Sequence, residues 1–123
     1  MAFLTDRKRA QGLGSAKSGT EHHWLMTVTS VALVPLTILF MFTFGPILGE
    51  DYETARAYYA RPWPALVAIL MLTVGWYHFR HGVQVLIEDY TDGLTRKGLI
   101  VAMICLSYFA LAASVLAIVR LAL

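Results

Sequence analysis

Charged side chains divide the chain into three long uncharged runs. No Asp, Glu, Lys or Arg lies between Glu21 and Glu50, between Arg61 and Arg80, or between Lys97 and Arg120. Each run holds roughly 18–28 residues, and a helix needs about 20 apolar residues to cross a bilayer. The runs are continuous and lack the alternation of a spanning barrel strand. The pattern therefore predicts an all-α membrane protein with three transmembrane helices, over about 23–48, 62–88 and 98–121. A polar, basic, Gly/Ser-rich arm, residues 1–22, precedes them and reads as irregular. Pro46, Pro62 and Pro64 stand at the expected helix boundaries. A short loop, 50–61, opens with acids, and the loop from Tyr90 to Arg96 is short enough to force an antiparallel hairpin.

Composition agrees with that pattern. The chain has 123 residues, 58% hydrophobic and 15% charged, with mean hydropathy +0.61. Soluble domains run about 45–50% apolar and about 25% charged. A disordered chain is excluded by the abundance of apolar residues. A net charge of +2 leaves basic residues too sparse for a phosphate-binding face, so no nucleic-acid partner is expected. The single cysteine, Cys105, rules out an internal disulfide framework and reads as a buried, inert thiol of the third span. The first apolar run begins too far from Met1 and is too long for a signal peptide, so it should be retained. Arg7, Lys8, Arg9 and Lys17 on the arm, with Arg96 and Lys97 in the second loop, place the N-terminus in the cytoplasm and the C-terminus in the periplasm by the positive-inside rule. Trp24, Tyr52, Tyr58, Tyr59 and Trp63 lie near helix ends, where aromatic side chains anchor at the interface. The stretch from Gly12 to Ser18 has Ala16 where a phosphate loop needs glycine before the lysine, so that motif is not met.

Candidate chemistry concentrates in the second span, which passes His78, Arg80 and His81 before reaching Glu88 and Asp89. Ionisable groups inside a span face protein, water or ligand. His78 follows the apolar run from Ala65 to Tyr77. A neutral imidazole there is suited to axial ligation of haem iron, and equally to a hydrogen bond with another helix. His81 lies about 60° around the helix from His78, so both cannot ligate one iron from the same side. His81 and Arg80 are candidates for a haem propionate or a partner. Gly82, one turn after His78, fits a close approach by a flat ligand or a backbone, or plain helix packing. Asp89 lies eleven residues after His78, about three turns with a residual rotation of about 20°, so the two share a face. Asp89 with Tyr90 suits a quinone, the phenol donating to a carbonyl oxygen. On the residues alone, a belt tyrosine beside a solvated acid is the favoured reading. His22 and His23 read as headgroup-level residues.

The string from His78 to Tyr90, with Gly82, Gln84-Val85 and Asp89-Tyr90 at these spacings, resembles the second helix of the hydrophobic membrane anchor subunit of succinate dehydrogenase. The arm from Gly12 to Trp24 resembles the alphaproteobacterial branch, and the resemblance covers essentially the whole chain. It implies that His78 is one axial ligand of haem b, the other coming from a cytochrome b subunit. It implies that Tyr90 and Asp89 belong to a ubiquinone site. The implied partners are the cytochrome b membrane subunit, the iron–sulfur subunit and the flavoprotein subunit, in the cytoplasmic (inner) membrane of a bacterium. One departure stands out. Family members often carry Arg in the first helix near the haem propionates, whereas Met26-Thr27-Val28-Thr29-Ser30 contains none. Propionate charge then falls to Arg80, His81 or the partner subunit. Two other readings stay open at this point: the anchor of a quinol-linked fumarate reductase, and a small proton-coupled transporter subunit using His78, His81, Arg80 and Asp89 as an ion path.

Overall fold

A computed structural model describes residues 5–12 and 19–123. The described residues form α1 (Asp6–Gln11), α2 (Gly19–Phe44), a 3-10 turn (Gly45–Ile47), α3 (Tyr52–Tyr59), α4 (Pro62–Tyr90) and α5 (Gly93–Ala122). Three helices, Thr20–Ile47 with its 3-10 extension, Pro62–Tyr90 and Gly93–Ala122, are long and apolar enough to cross a membrane. The all-helical, three-span expectation is met. Residues 13–18, most of the rejected phosphate-loop stretch, lie outside the described residues.

The helices overrun the uncharged runs at their ends. α2 begins at Gly19 rather than near residue 23, α4 continues to Tyr90, and α5 starts at Gly93 rather than 98. The reason is that a hydropathy pattern marks the bilayer, whereas backbone hydrogen bonding marks the helix. Glu21, Glu88, Arg96 and Lys97 continue a helix readily once it has begun. Gly93, at φ +62°, takes a left-handed conformation that favours glycine, and it turns the chain from α4 into α5.

Two helices contradict the expectation of irregular segments. α1 interrupts the arm, and Thr5 caps it by accepting from the Lys8 N–H at 3.3 Å. α3 occupies most of the first loop. The Asp51 carboxylate accepts from the Thr54 N–H at 2.8 Å and satisfies one of the free donors of the first turn. The Thr54 hydroxyl first, and its backbone N–H second, hold the Asp51 carboxyl below its ordinary value of 3.8. Tyr59, read as an interfacial anchor, is instead 4% exposed and packs with Ile47, Ala65 and Ala68. Burial first, and the neighbouring Tyr58 phenol second, push its hydroxyl pKa upward. Trp24, Tyr52 and Trp63 are exposed, as a belt requires.

α4 is the middle helix. It packs against α2 on one side and α5 on the other, and the backbones of α2 and α5 do not approach each other among the described residues. The three spans are thus a row rather than a closed bundle. Phe42, Phe109, Met41, Val31 and many other apolar side chains face outward. Cys105 also faces outward, a correction to its expected burial. Among the described residues α5 has protein neighbours only along its α4 and α3 stripes, so most of its circumference is left for lipid or another protein.

Candidate functional site

α4 carries every side chain singled out on the second span, and it runs unbroken through all of them. His78 is half-buried and turned toward α2. Its Nδ1 lies 2.8 Å from Thr29 Oγ1. The same hydroxyl is 2.8 Å from the Leu25 carbonyl and 3.1 Å from the Met26 carbonyl. His78 Nε2 has no hydrogen-bond partner among the described residues. The sequence reading missed Thr29, because a threonine in a span ordinarily bonds back to its own helix. It does so here, and it also crosses to α4.

His81 lies on the same seam and is 8% exposed. Its Nδ1 is 2.8 Å from the Tyr77 carbonyl. A carbonyl only accepts, so Nδ1 carries the proton and Nε2 is the free nitrogen of the neutral ring. The His81 ring sits 4.5 Å from the Tyr77 ring and 5.2 Å from the His22 ring, centroid to centroid. His22 is therefore packed onto α4. Its Nε2 is buried without a partner among the described residues. Gly82 faces α2, and a Cβ built there would meet Met26 Cε at 4.0 Å. Of the reasons offered for this glycine, the described residues show side-chain packing and no close backbone approach.

Arg80 points to the other seam. Its Nη1 donates to the Tyr108 hydroxyl of α5 at 2.7 Å, and its guanidinium carbon lies 5.2 Å from the Tyr108 ring centroid. One turn earlier, Trp76 Nε1 donates to Ser114 Oγ at 3.2 Å. Imidazoles thus face α2 while the guanidinium and indole face α5.

At the end of α4, Tyr90 is 82% exposed. With Leu86, Ile87, Thr91 and Leu99 it lines an open apolar cleft of about 410 Å³. Asp89 is exposed and does not line that cleft. Arg96 is held by Asp92 at 2.7 Å and donates to the Thr91 carbonyl at 2.6 Å, so the loop cation is tied to Asp92 and not to Asp89. On an unbroken helix, Tyr90 is about 18 Å along the axis from His78. No group of three or more His, Cys, Asp or Glu side chains converges among the described residues.

The profile of the succinate dehydrogenase/fumarate reductase transmembrane subunit family matches residues 2–118. The chain belongs to that family. The succinate dehydrogenase hydrophobic membrane anchor subunit of Paracoccus denitrificans is 45% identical over 123 residues, all of this chain and 95% of the relative. The subunit of the same name from Rickettsia bellii is 29% identical over 118 residues, 94% of each chain. A succinate dehydrogenase membrane anchor subunit from Reclinomonas americana is 28% identical over 81 residues. No solved structure matches the chain. The resemblance read from the arm and from His78 to Tyr90 is thereby confirmed, and the class is a multi-pass succinate dehydrogenase membrane anchor subunit. An anchor subunit works in association with other subunits and the bilayer. That accounts for three helices in a row with most of their apolar surface turned outward.

Proposed function

We propose that this anchor subunit holds haem b through His78 and supplies part of a ubiquinone site through Tyr90 and Asp89, in the inner membrane of a bacterium. Its partners are the cytochrome b, iron–sulfur and flavoprotein subunits of succinate dehydrogenase. The N-terminus and the α4–α5 loop face the cytoplasm, and the C-terminus faces the periplasm.

The observation that carries the reading is the state of His78. Its Nδ1 is engaged by an oxygen, its Nε2 has no partner among the described residues, and it sits mid-span on a helix that faces only one neighbour on that side. This is the donor set of an axial ligand, a neutral imidazole with one nitrogen fixed and the other available. One histidine from this chain suits a haem shared with a second subunit. Bound there, the haem would supply one-electron chemistry between the iron–sulfur centres and the quinone. A propionate only accepts, so on this seam it would take a proton from His22 Nε2–H, which has no partner among the described residues, or from His81 Nε2 once that ring carries both protons.

At the cytoplasmic end, the Tyr90 phenol would donate a hydrogen bond to a quinone carbonyl, while the apolar walls of Leu86, Ile87 and Leu99 would hold the ring. Asp89, next in chain, would orient a cation of a partner subunit or hold a proton at the mouth of the site. Purified complex carrying His78→Ala is expected to lose its reduced-minus-oxidised b-type spectrum. Tyr90→Phe is expected to slow quinone reduction and leave succinate oxidation by an artificial dye intact. A wild-type haem spectrum in His78→Ala overturns the ligand assignment.

A further inference from the structure

Thr29 has the geometry of a group that sets the state of His78 from another helix. The hydroxyl has a single proton and two lone pairs. Two carbonyls of its own helix, those of Leu25 and Met26, lie within 2.8 and 3.1 Å, and carbonyls can only accept. The hydroxyl proton therefore goes to the backbone of α2. What remains for the imidazole 2.8 Å away is a lone pair, so His78 Nδ1 must be the donor. This fixes the tautomer with the hydrogen on Nδ1 and the lone pair on Nε2. The opposite tautomer would set Nδ1 and Thr29 Oγ1 lone pair against lone pair, or take the hydroxyl proton away from α2.

We propose that Thr29 is the positioning residue for His78: by accepting from Nδ1–H it orients the ring, keeps Nε2 unprotonated, and raises the basicity of that nitrogen toward iron. The proposal rests on His78 being the haem ligand. A ligating histidine ordinarily donates its other N–H to an oxygen, and losing that oxygen typically weakens metal binding about 10- to 100-fold. The contact is also a polar tie across the α2–α4 seam. The only other side-chain hydrogen bond between these helices among the described residues is the weak contact of Thr37 with the Met71 sulfur at 3.9 Å. Thr29 therefore links the packing of α2 on α4 to the state of the ligand. A threonine fits the task better than a charged acceptor, since it brings no net charge into the bilayer.

The test uses the intact complex purified in detergent, with Thr29→Val, Thr29→Ala, Thr29→Ser and His78→Ala compared with wild type. The readouts are haem per complex, the midpoint potential by redox titration, and the low-spin haem electron paramagnetic resonance signal. Thr29→Val and Thr29→Ala are expected to retain haem about 10- to 100-fold less tightly in competition with apomyoglobin. Their midpoint potential is expected to rise, because a less basic imidazole stabilises the oxidised iron less. Thr29→Ser keeps the hydroxyl and is expected to restore both values. Two hydroxyl-free variants are included so that a packing defect in one does not decide the result. Wild-type retention and potential in Thr29→Val and Thr29→Ala, with haem lost from His78→Ala, overturn the proposal and leave the ligand assignment standing. Failure of Thr29→Ser to restore the potential also overturns it, since methyl packing would then be the role. A retained wild-type spectrum in His78→Ala overturns the ligand assignment and this proposal with it.

Discussion

Arg80 gives the structure a quantitative test. Its guanidinium lies within the span, where an unpaired charge is expensive, and Tyr108 of α5 meets it twice, through the hydroxyl at 2.7 Å and through the ring face at 5.2 Å. Tyr108→Phe removes the first contact and keeps the second. Hydrogen bonds between membrane helices average about 0.6 kcal/mol and reach about 1.7. The donor here is charged and the distance short, which argues for the upper half of that range, but Tyr108 is 49% exposed. A cost of about 1–1.4 kcal/mol follows, close to tenfold in the folding equilibrium. Replacing Tyr108 with Leu removes the ring face too, and adds about 0.5–1 kcal/mol. The assay is a double-mutant cycle with Arg80→Leu, unfolding bicelle-reconstituted protein with SDS and following helix content by circular dichroism. In the Arg80→Leu background, Tyr108→Phe should cost nearly nothing. If it costs the same in both backgrounds, Arg80 is not held by Tyr108 and the α4–α5 seam is wrongly described.

Three other outcomes follow from the fold. Tyr59→Ala should destabilise the docking of α3 by about 3 kcal/mol, the scale for emptying a buried aromatic site, read as faster amide exchange across α3 and the 3-10 turn. Asp51 has a lowered folded pKa, so its contribution to α3 is complete above its ordinary value of 3.8 and is lost as pH falls through the lowered one. Amide exchange at Thr54 should accelerate in that window, and in Asp51→Ala it should be fast at every pH. Alkaline phosphatase fused after Leu123 should be active, and the same enzyme inserted between Asp92 and Gly93 inactive. The reverse pattern would invert the orientation drawn from the charge bias.

The three spans were legible because the bilayer imposes a single rule, about 20 residues with little charge, and the charges of this chain follow it apart from Arg80 inside the second span. The helix ends were not, since Glu21 and Arg96 leave the bilayer without leaving the helix. α3 was missed for a related reason: its polar, tyrosine-rich sequence has no apolar run to notice, and only Asp51 as a cap with the Thr54 amide three residues on marks its start. His78, Arg80, His81 and Gly82 stood out as polar or small residues in an apolar helix. Which neighbour each one meets was invisible, because Thr29 is 49 residues from His78 and Tyr108 is 28 from Arg80. Helical periodicity orders residues on α4 itself and says nothing of the register at which α2 and α5 lie against it. Cys105 shows the complementary error: in a membrane chain the apolar positions face outward, so an apolar setting does not mean an interior one.

The unbroken course of α4 limits how its sequence can vary. Between His78 and Tyr90 the helix has neither a proline nor a break that would absorb a change in length. Inserting one residue there would turn everything beyond it by about 100° and push it about 1.5 Å further along the axis. The face that carries Tyr90 would then swing away from the face that carries His78, although no side chain had been replaced. Substitutions between these two residues can be absorbed one at a time by local repacking, whereas insertions and deletions cannot. This twelve-residue interval should therefore stay constant in length among functional relatives of the chain, even where its side chains diverge.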